Sequence, residues 1–213
     1  MIIAIDGPAA SGKGTIGRRV AAYYALAYLD TGALYRAVAR DTVLRGGDPA
    51  DQAAALESAR RLDPATLDDP ALREAGLGEA ASLVASHAEV RRALLAYQRS
   101  FALAKEGAVI DGRDIGTVIC PEAEVKIFVT AAPEERARRR YIELKQSGAA
   151  VTEAEVLSDI GRRDERDAGR DAAPLRKAPD AYLLDTTNLD IDAAFKAAID
   201  LIDAALARAG CAS

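Results

Sequence analysis

The stretch Gly7-Pro8-Ala9-Ala10-Ser11-Gly12-Lys13-Gly14-Thr15 follows directly on the apolar run Ile2 to Ile5 and Asp6. Glycines at these spacings let the backbone curl until several N–H groups point to one centre. Lys13 then reaches toward β and γ phosphates, and the helix that follows turns its positive end to the same place. A nucleoside triphosphate is the ligand such a loop holds. What separates it from an ordinary glycine-rich turn is a strand before and a helix after, and both are legible, in Ile2 to Ile5 and in Gly12 to Ala25. One position departs from the usual pattern, because Gly14 stands where a Ser or Thr normally follows the lysine. Thr15 is then expected to face the α phosphate and not the metal. Mg2+ is left mainly to the nucleotide and water, which suits an ion that sheds its hydration shell reluctantly.

Two more polar clusters follow apolar runs. In Asp30-Thr31-Gly32-Ala33-Leu34-Tyr35-Arg36, Thr31 can cap or hydrogen-bond, and the forked guanidinium of Arg36 suits a second phosphate. In Asp111-Gly112-Arg113-Asp114-Ile115-Gly116-Thr117, a strand-end carboxylate can orient metal-bound water while Arg113 and Asp114 grip phosphate and a base or sugar; alternatively those two pair with each other and only shape the turn. Further on, Arg163, Asp167 and Arg170 are spaced i, i+4, i+7 and share one face if the helix persists. Arg136, Arg138, Arg139 and Arg140 with Arg162, Arg163, Arg166 and Arg170 make an arginine-rich hairpin with the look of a lid, Gly169 and Pro174 marking its frayed end. A solvated helix of ion pairs is the plainer reading of the same charges. His87, the only histidine, reads as a cap or surface residue, and the tyrosines read as packing.

Positioning these groups falls to alternating short apolar runs and longer helical stretches. Ile2 to Ile5, Ala27 to Leu29, Ala108 to Ile110, Val125 to Val129 and Ala181 to Leu184 read as strands, continuous in apolar character as in a sheet covered on both faces. Helices are expected over Gly12 to Ala25, Ala33 to Leu44, Ala50 to Arg61, Pro70 to Ala85 and Ala88 to Lys105. Three more follow over Pro133 to Lys145, Thr152 to Arg166 and Ile191 to Ala209. The expected fold class is α/β, a three-layer fold with a five-stranded parallel sheet and helices on both faces. Gly46 to Lys105 is longer than a crossover needs and predicts an inserted, mostly helical lobe over the strand ends.

Composition excludes other classes. No apolar run approaches the ~20 residues of a membrane span. A net charge of −5, from 28 basic and 33 acidic residues, argues against a protein that coats nucleic acid. Cys120 and Cys211 are read as plain thiols. The phosphate loop begins at residue 7 with no charged segment before it, so a cleaved leader would destroy it, and a cytoplasmic location is expected. With no exposed apolar stripe in view, a monomer is expected.

Taken in this order, GPAASGKGT, DTGALYR, DGRDIGTVICPEAEVKIFVTA and RRDERDAGRDAAPL resemble the bacterial cytidylate kinase family nearly end to end. The Gly-Lys-Gly-Thr form of the loop is shared with nucleoside-monophosphate kinases as a class. The resemblance implies a P-loop nucleoside-monophosphate kinase fold with a monophosphate-binding lobe at about 37–105 and a lid at about 139–170. It implies transfer of the γ phosphate of ATP, with Mg2+, to CMP or dCMP. Thr31, Arg36, Arg113, Asp114, Arg163, Asp167 and Arg170 then look like the monophosphate site, with Thr31 where the family often has serine. Asp167 and Arg170 would hold the pentose, Asp114 and Arg113 would read the cytosine, and Arg91 resembles a further substrate arginine. Over Gly47 to Ala75 the chain departs from the family, reading short, alanine-rich and helical where many members carry a β-rich lobe.

Phosphoryl transfer asks a protein mainly for positioning and charge stabilisation, so Lys13, Arg139, Arg140 and Arg163 are the expected catalytic residues. Base selection should rest on hydrogen bonds, making UMP the poorer substrate. The alternative is a kinase for another small acceptor, such as shikimate or a different monophosphate. A nucleotide-switched RNA-binding module is opposed by the acidic net charge and the lack of an aromatic platform.

Overall fold

The computed structural model describes residues 1–74, 76–103 and 106–210. The expected helix end at Lys105 and the thiol of Cys211 lie outside the described residues, as does Ala75 within the expected Pro70 to Ala85 helix. Five strands, Ile2–Asp6 (β1), Ala27–Asp30 (β2), Ala108–Gly112 (β3), Val125–Thr130 (β4) and Tyr182–Asp185 (β5), pair in parallel in the order β2-β3-β1-β4-β5. Helices on both faces are Lys13–Tyr24 (α1), Thr31–Leu44 (α2), Gln52–Arg60 (α3), Leu77–Val84 (α4) and Ala88–Ala102 (α5), then Pro133–Gln146 (α6), Glu153–Gly169 (α7) and Ile191–Gly210 (α8).

Alternation along the strands divides the core. Ala4, Leu29 and Ile110 pack with Leu34, Val38, Val84 and Leu94 under α2, α4 and α5. Ile3, Ile5, Val109 and Ile127 pack with Val20 and Ile202 under α1 and α8. Because both faces are covered, the strands must be apolar throughout, which is why all five could be read from sequence. Parallel register then brings every strand end to one edge. Ile5 pairs with Asp111, Asp6 with Gly112 and Asp30 with Asp111, so Asp30 and Asp111 arrive side by side where open α/β sheets bind ligands, with Asp6 one position further on.

The expected helix over Pro70 to Ala85 is divided. Pro70–Arg73 forms one 3-10 turn, capped by Asp69 accepting from the Ala71 N–H at 2.9 Å, and α4 begins only after Gly76. Gly76 has φ +86°, a left-handed conformation that a helix interior cannot hold. The segment that departs from the family is helical as expected, with α3 capped by Asp51 and no strand among the described residues between 47 and 74.

After β4, α6 and α7 pack on each other around a small cluster, Ala137, Leu144, Val156 and Ile160. A capping box starts α7, with the Thr152 hydroxyl accepting from the Glu155 N–H and the Glu155 carboxylate accepting from the Thr152 N–H. The helix ends at Gly169. Arg170 is therefore its extended C-terminal cap, and only Arg163 and Asp167 of the expected i, i+4, i+7 set lie within the helix.

Candidate active site

The phosphate loop is held rigidly from below. Gly12, at φ +87°, starts α1 with no side chain in the way. The Ala9 carbonyl accepts from Arg136 at 3.2 Å and the Ser11 carbonyl from the Thr186 hydroxyl at 3.0 Å. Arg136, a surface charge by its sequence context, is buried and bound to Asp164 at 2.5 Å, so it braces the loop from α6. Above the loop is a cavity of about 940 Å3, large enough for two nucleotides, lined by residues 9–16. Gly7 and Pro8 do not line it. A Cβ on Gly7 would lie 2.0 Å from the Val129 carbonyl oxygen, so Gly7 is where the loop crosses β4.

Lys13 donates to the Pro8 carbonyl at 3.4 Å. Burial, then the charge of Arg113, brings its ammonium down to about 8 against the pull of Asp111 and Asp30. A phosphate placed on the loop removes that penalty. Thr15 is exposed at the cavity rim. Asp111, 2 % exposed, is raised to about 6 by burial and then by the neighbouring Asp30.

Asp30, and not Thr31, caps α2, accepting from the Ala33 N–H at 3.1 Å. The Thr31 hydroxyl instead donates to the Asp111 carbonyl at 2.8 Å, tying β2 to β3. Arg36 is paired with Asp30 at 2.7 Å and lines the cavity. Arg113 and Asp114 do not pair with each other. Arg113 binds Asp167 at 2.8 Å, while Asp114 pairs with Arg91 and lies 3.8 Å from Arg170. Arg170 also lies 4.0 Å from Asp167, so residues from α5, α7 and the β3 exit form one alternating row of charge, Arg91–Asp114–Arg170–Asp167–Arg113. Alternation is what makes the burial tolerable, since each carboxylate touches two guanidinium groups. The pairing holds Asp167 below the usual carboxylate range although burial works the other way.

The row and its neighbour Arg163 have spare valence. Arg170 Nη2 and Arg163 Nε are buried without a hydrogen-bond partner. Arg163 makes no ion pair among the described residues, and burial followed by repulsion from Arg113 lowers it to about 10. Buried donors without partners are uncommon, and these two line the cavity, where a ligand's acceptor atoms would satisfy them. Arg140 also faces this space, bound to Glu143 at 2.8 Å. Arg139 lines the cavity from the β5 side of the loop, donating to the Thr186 carbonyl at 2.6 Å and to Glu135 at 2.9 Å.

Comparison with known proteins places the chain in a family. The family model described as "Cytidylate kinase" matches residues 3–204. A cytidylate kinase of Rhodopseudomonas palustris is 59 % identical over 204 residues, covering 96 % of each chain, and one of Nitrobacter winogradskyi is 57 % identical over 210 residues, covering 99 % of each. The chain belongs to the cytidylate kinase family. It is a transferase of the phosphotransferase kind, acting on CMP and dCMP, and the alternative of another small acceptor finds no support. A crystal structure of an uncharacterised protein from Eubacterium ventriosum shares the fold, with a TM-score of 0.54 at 18 % identity over 96 % of this chain and 98 % of that one.

Within this cytidylate kinase family member, several residues at the site escape sequence reading. The Ser82 hydroxyl on α4 donates to Asp167 Oδ1 at 3.2 Å and lines the cavity. Tyr35 lies under the Arg91 guanidinium, 5.5 Å from its ring centre. Asp6 accepts from the Ile115 and Gly116 N–H groups at 2.7 and 2.8 Å. A strand-end carboxylate is a visible signal for Asp6 and Asp30, but nothing local distinguishes Ser82 from any helical serine. His87 is the cap residue of α5, within 3.0 Å of the Pro49 carbonyl. No described helix is long and apolar enough to cross a membrane.

Proposed function

We propose that ATP lies with its β and γ phosphates in the phosphate loop over Lys13, and that CMP or dCMP lies against the row of charge formed by Arg91, Asp114, Arg170, Asp167 and Arg113. The observation that carries this reading is the pair of buried donors without a hydrogen-bond partner, Arg170 Nη2 and Arg163 Nε, on two arginines that line the same cavity as the loop. In the reaction an oxygen of the CMP phosphate forms a bond to the γ phosphorus as the bridging P–O bond to the β phosphate breaks, giving CDP and ADP. Lys13, Arg140 and Arg163 meet the charge that develops on the transferred group, a contribution that positioned arginines can make on the order of 10³-fold in rate. Arg36 and Thr31 orient the acceptor at the α2 start, and Arg139 lies on the nucleotide side of the loop.

Asp30 and Asp111, paired in register at the strand ends, are the carboxylates that would hold Mg2+ beside the nucleotide phosphates, through its water. Mg2+ supplies neutralisation of the β and γ oxygens when bound; Asp30 and Asp111 hold its water in place. Residues 37–105 act as the monophosphate-binding lobe and 139–170 as the lid, which closes to exclude water. A cytoplasmic monomer suits an enzyme whose substrates are free nucleotides. Discrimination against UMP follows from the acceptors and donors of Asp114, Arg113 and Ser82, since a site built to satisfy one polar edge rejects another.

The test is Mg2+-dependent ADP formation from ATP with CMP, dCMP, UMP, AMP and shikimate as separate acceptors. Turnover with CMP and dCMP, and weak turnover with UMP, is expected. Equal rates with AMP or shikimate would overturn the assignment of the charged row to a cytidine nucleotide.

A further inference from the structure

The loop departs from the common pattern at Gly14, and the structure holds a hydroxyl at that place from another element. Tyr28, in β2, donates its hydroxyl to Asp111 Oδ2 at 2.6 Å and lies 3.3 Å from the Gly14 carbonyl oxygen. A Cβ on Gly14 would sit 3.4 Å from the same Oδ2 and 3.6 Å from the Tyr28 hydroxyl, so a serine or threonine side chain there would reach the same carboxylate oxygen. Gly17, one turn on in α1, makes room for the tyrosine. A Cβ at Gly17 would come within 2.9 Å of the Tyr28 ring, closer than real contacts allow. Arg18 covers the ring's other side, its guanidinium 5.5 Å from the centre. Two glycines of one helix thus serve one tyrosine, Gly14 leaving a hydroxyl's place vacant and Gly17 admitting the ring that fills it.

We propose that Tyr28 is a positioning residue: where Gly14 leaves the loop without a hydroxyl, the Tyr28 hydroxyl fixes the orientation of the strand-end carboxylate of Asp111 beside the metal-bearing phosphates. The need is clear from the register. Asp111 is buried and pairs in the sheet with Asp30, a second carboxylate, so without a donor the two would turn away from each other. Outer partners that orient groups near a metal commonly matter about as much as the ligands themselves. The inference rests on the reading that Asp111 faces Mg2+ and ATP; it does not depend on which acceptor the enzyme uses.

The test is calorimetric binding of ATP to the whole enzyme at graded Mg2+, with no acceptor present. Tyr28→Phe removes only the hydroxyl and keeps the ring between Gly17 and Arg18. It is expected to raise the Mg2+ concentration for half-maximal enhancement of ATP binding about 10-fold, while ATP binding in chelator changes less than about twofold. Adding Gly14→Ser to Tyr28→Phe is expected to return the Mg2+ response to within about threefold of the parent, because the serine hydroxyl then reaches Asp111. A merely structural tyrosine would lower the melting temperature without this rescue. An unchanged Mg2+ response in Tyr28→Phe, or a double variant no better than the single one, overturns the proposal. Failure of the parent enzyme itself to bind ATP more tightly with Mg2+ would instead strike the reading beneath it.

Discussion

Arg170 shows how one side chain serves two carboxylates at once. It lies against Asp114 and Asp167, is 3 % exposed, and its Nε donates to the Ala173 carbonyl at 2.6 Å, leaving Nη2 for a ligand. Arg170→Ala leaves each carboxylate with a single arginine and the pocket without its free donor. A hydrogen bond to a charged group is worth roughly 1.5–3 kcal/mol, so the KM for CMP is expected to rise about 10- to 100-fold while that for ATP stays within about twofold. Equal loss for both nucleotides, read from initial rates at saturating partner, would remove Arg170 from the acceptor site. Lys13, Arg113, Asp114 and Asp167 were legible in the sequence because each follows a strand or repeats at helical spacing. Ser82 and Tyr28 were not, because their partners lie 85 and 83 residues away, at a separation no local pattern records.

At the scale of elements, the turn after β3 decides where Arg113 and Asp114 point. Between Ile115 and Ile119 the chain forms a π-helical turn, with five-residue bonds from the Ile119 N–H to the Asp114 carbonyl at 3.1 Å and from the Cys120 N–H to the Ile115 carbonyl at 2.7 Å. Asp6, at the end of β1, accepts the two N–H groups at its start, which such a turn leaves without helical partners. Sequence shows an Asp-Gly-Arg-Asp turn but not this geometry, since the carboxylate that stabilises it comes from 109 residues away. The same limit explains the helix expected over Pro70 to Ala85, which Gly76 interrupts by adopting a conformation that its apolar neighbours do not announce. The strands, by contrast, depend on burial alone and could be read directly. Burial, opposed by the bonds from Gly116 and Ile115, raises Asp6 from its ordinary 3.8 to about 7. A raised carboxylate means that the folded chain keeps a proton the unfolded chain has lost. Its contribution to stability is therefore complete below about pH 4 and declines until about pH 7. Asp6→Asn cannot ionise and lacks that decline. The difference in unfolding free energy between the parent and Asp6→Asn is expected to fall as pH rises from about 4.5 to 7.5 in urea titrations. A difference independent of pH would mean that Asp6 titrates as it does in water.

In the whole molecule, two extensive apolar cores clasp the sheet, whereas α6 and α7 bury only Ala137, Leu144, Val156 and Ile160 between them. What ties α7 to the rest is polar. Arg166 binds Glu79 of α4 at 2.6 Å, Asp167 binds Arg113 and Ser82, and Arg163 lies over Gly78, where a Cβ would meet its Nη1 at 3.0 Å. Few buried apolar contacts mean low local stability, so this hairpin is the part of the molecule suited to opening, and under the proposed function the row of charge is the latch that an acceptor nucleotide would complete. The arginine-rich composition led to the expectation of a lid, but not to which arginines line the cavity and which brace the frame, because Arg136 and Arg163 differ only in what surrounds them after folding. Amides of α7 are accordingly expected to exchange with deuterium well before those of β1 and β3 in the free enzyme. Binding of CMP should slow exchange in α7 and α4 together, and high salt should reduce that protection by weakening the Glu79–Arg166 link. Exchange in α7 as slow as in the sheet before any ligand is added would show a hairpin already locked, and the cavity would then have to admit its nucleotides by another route.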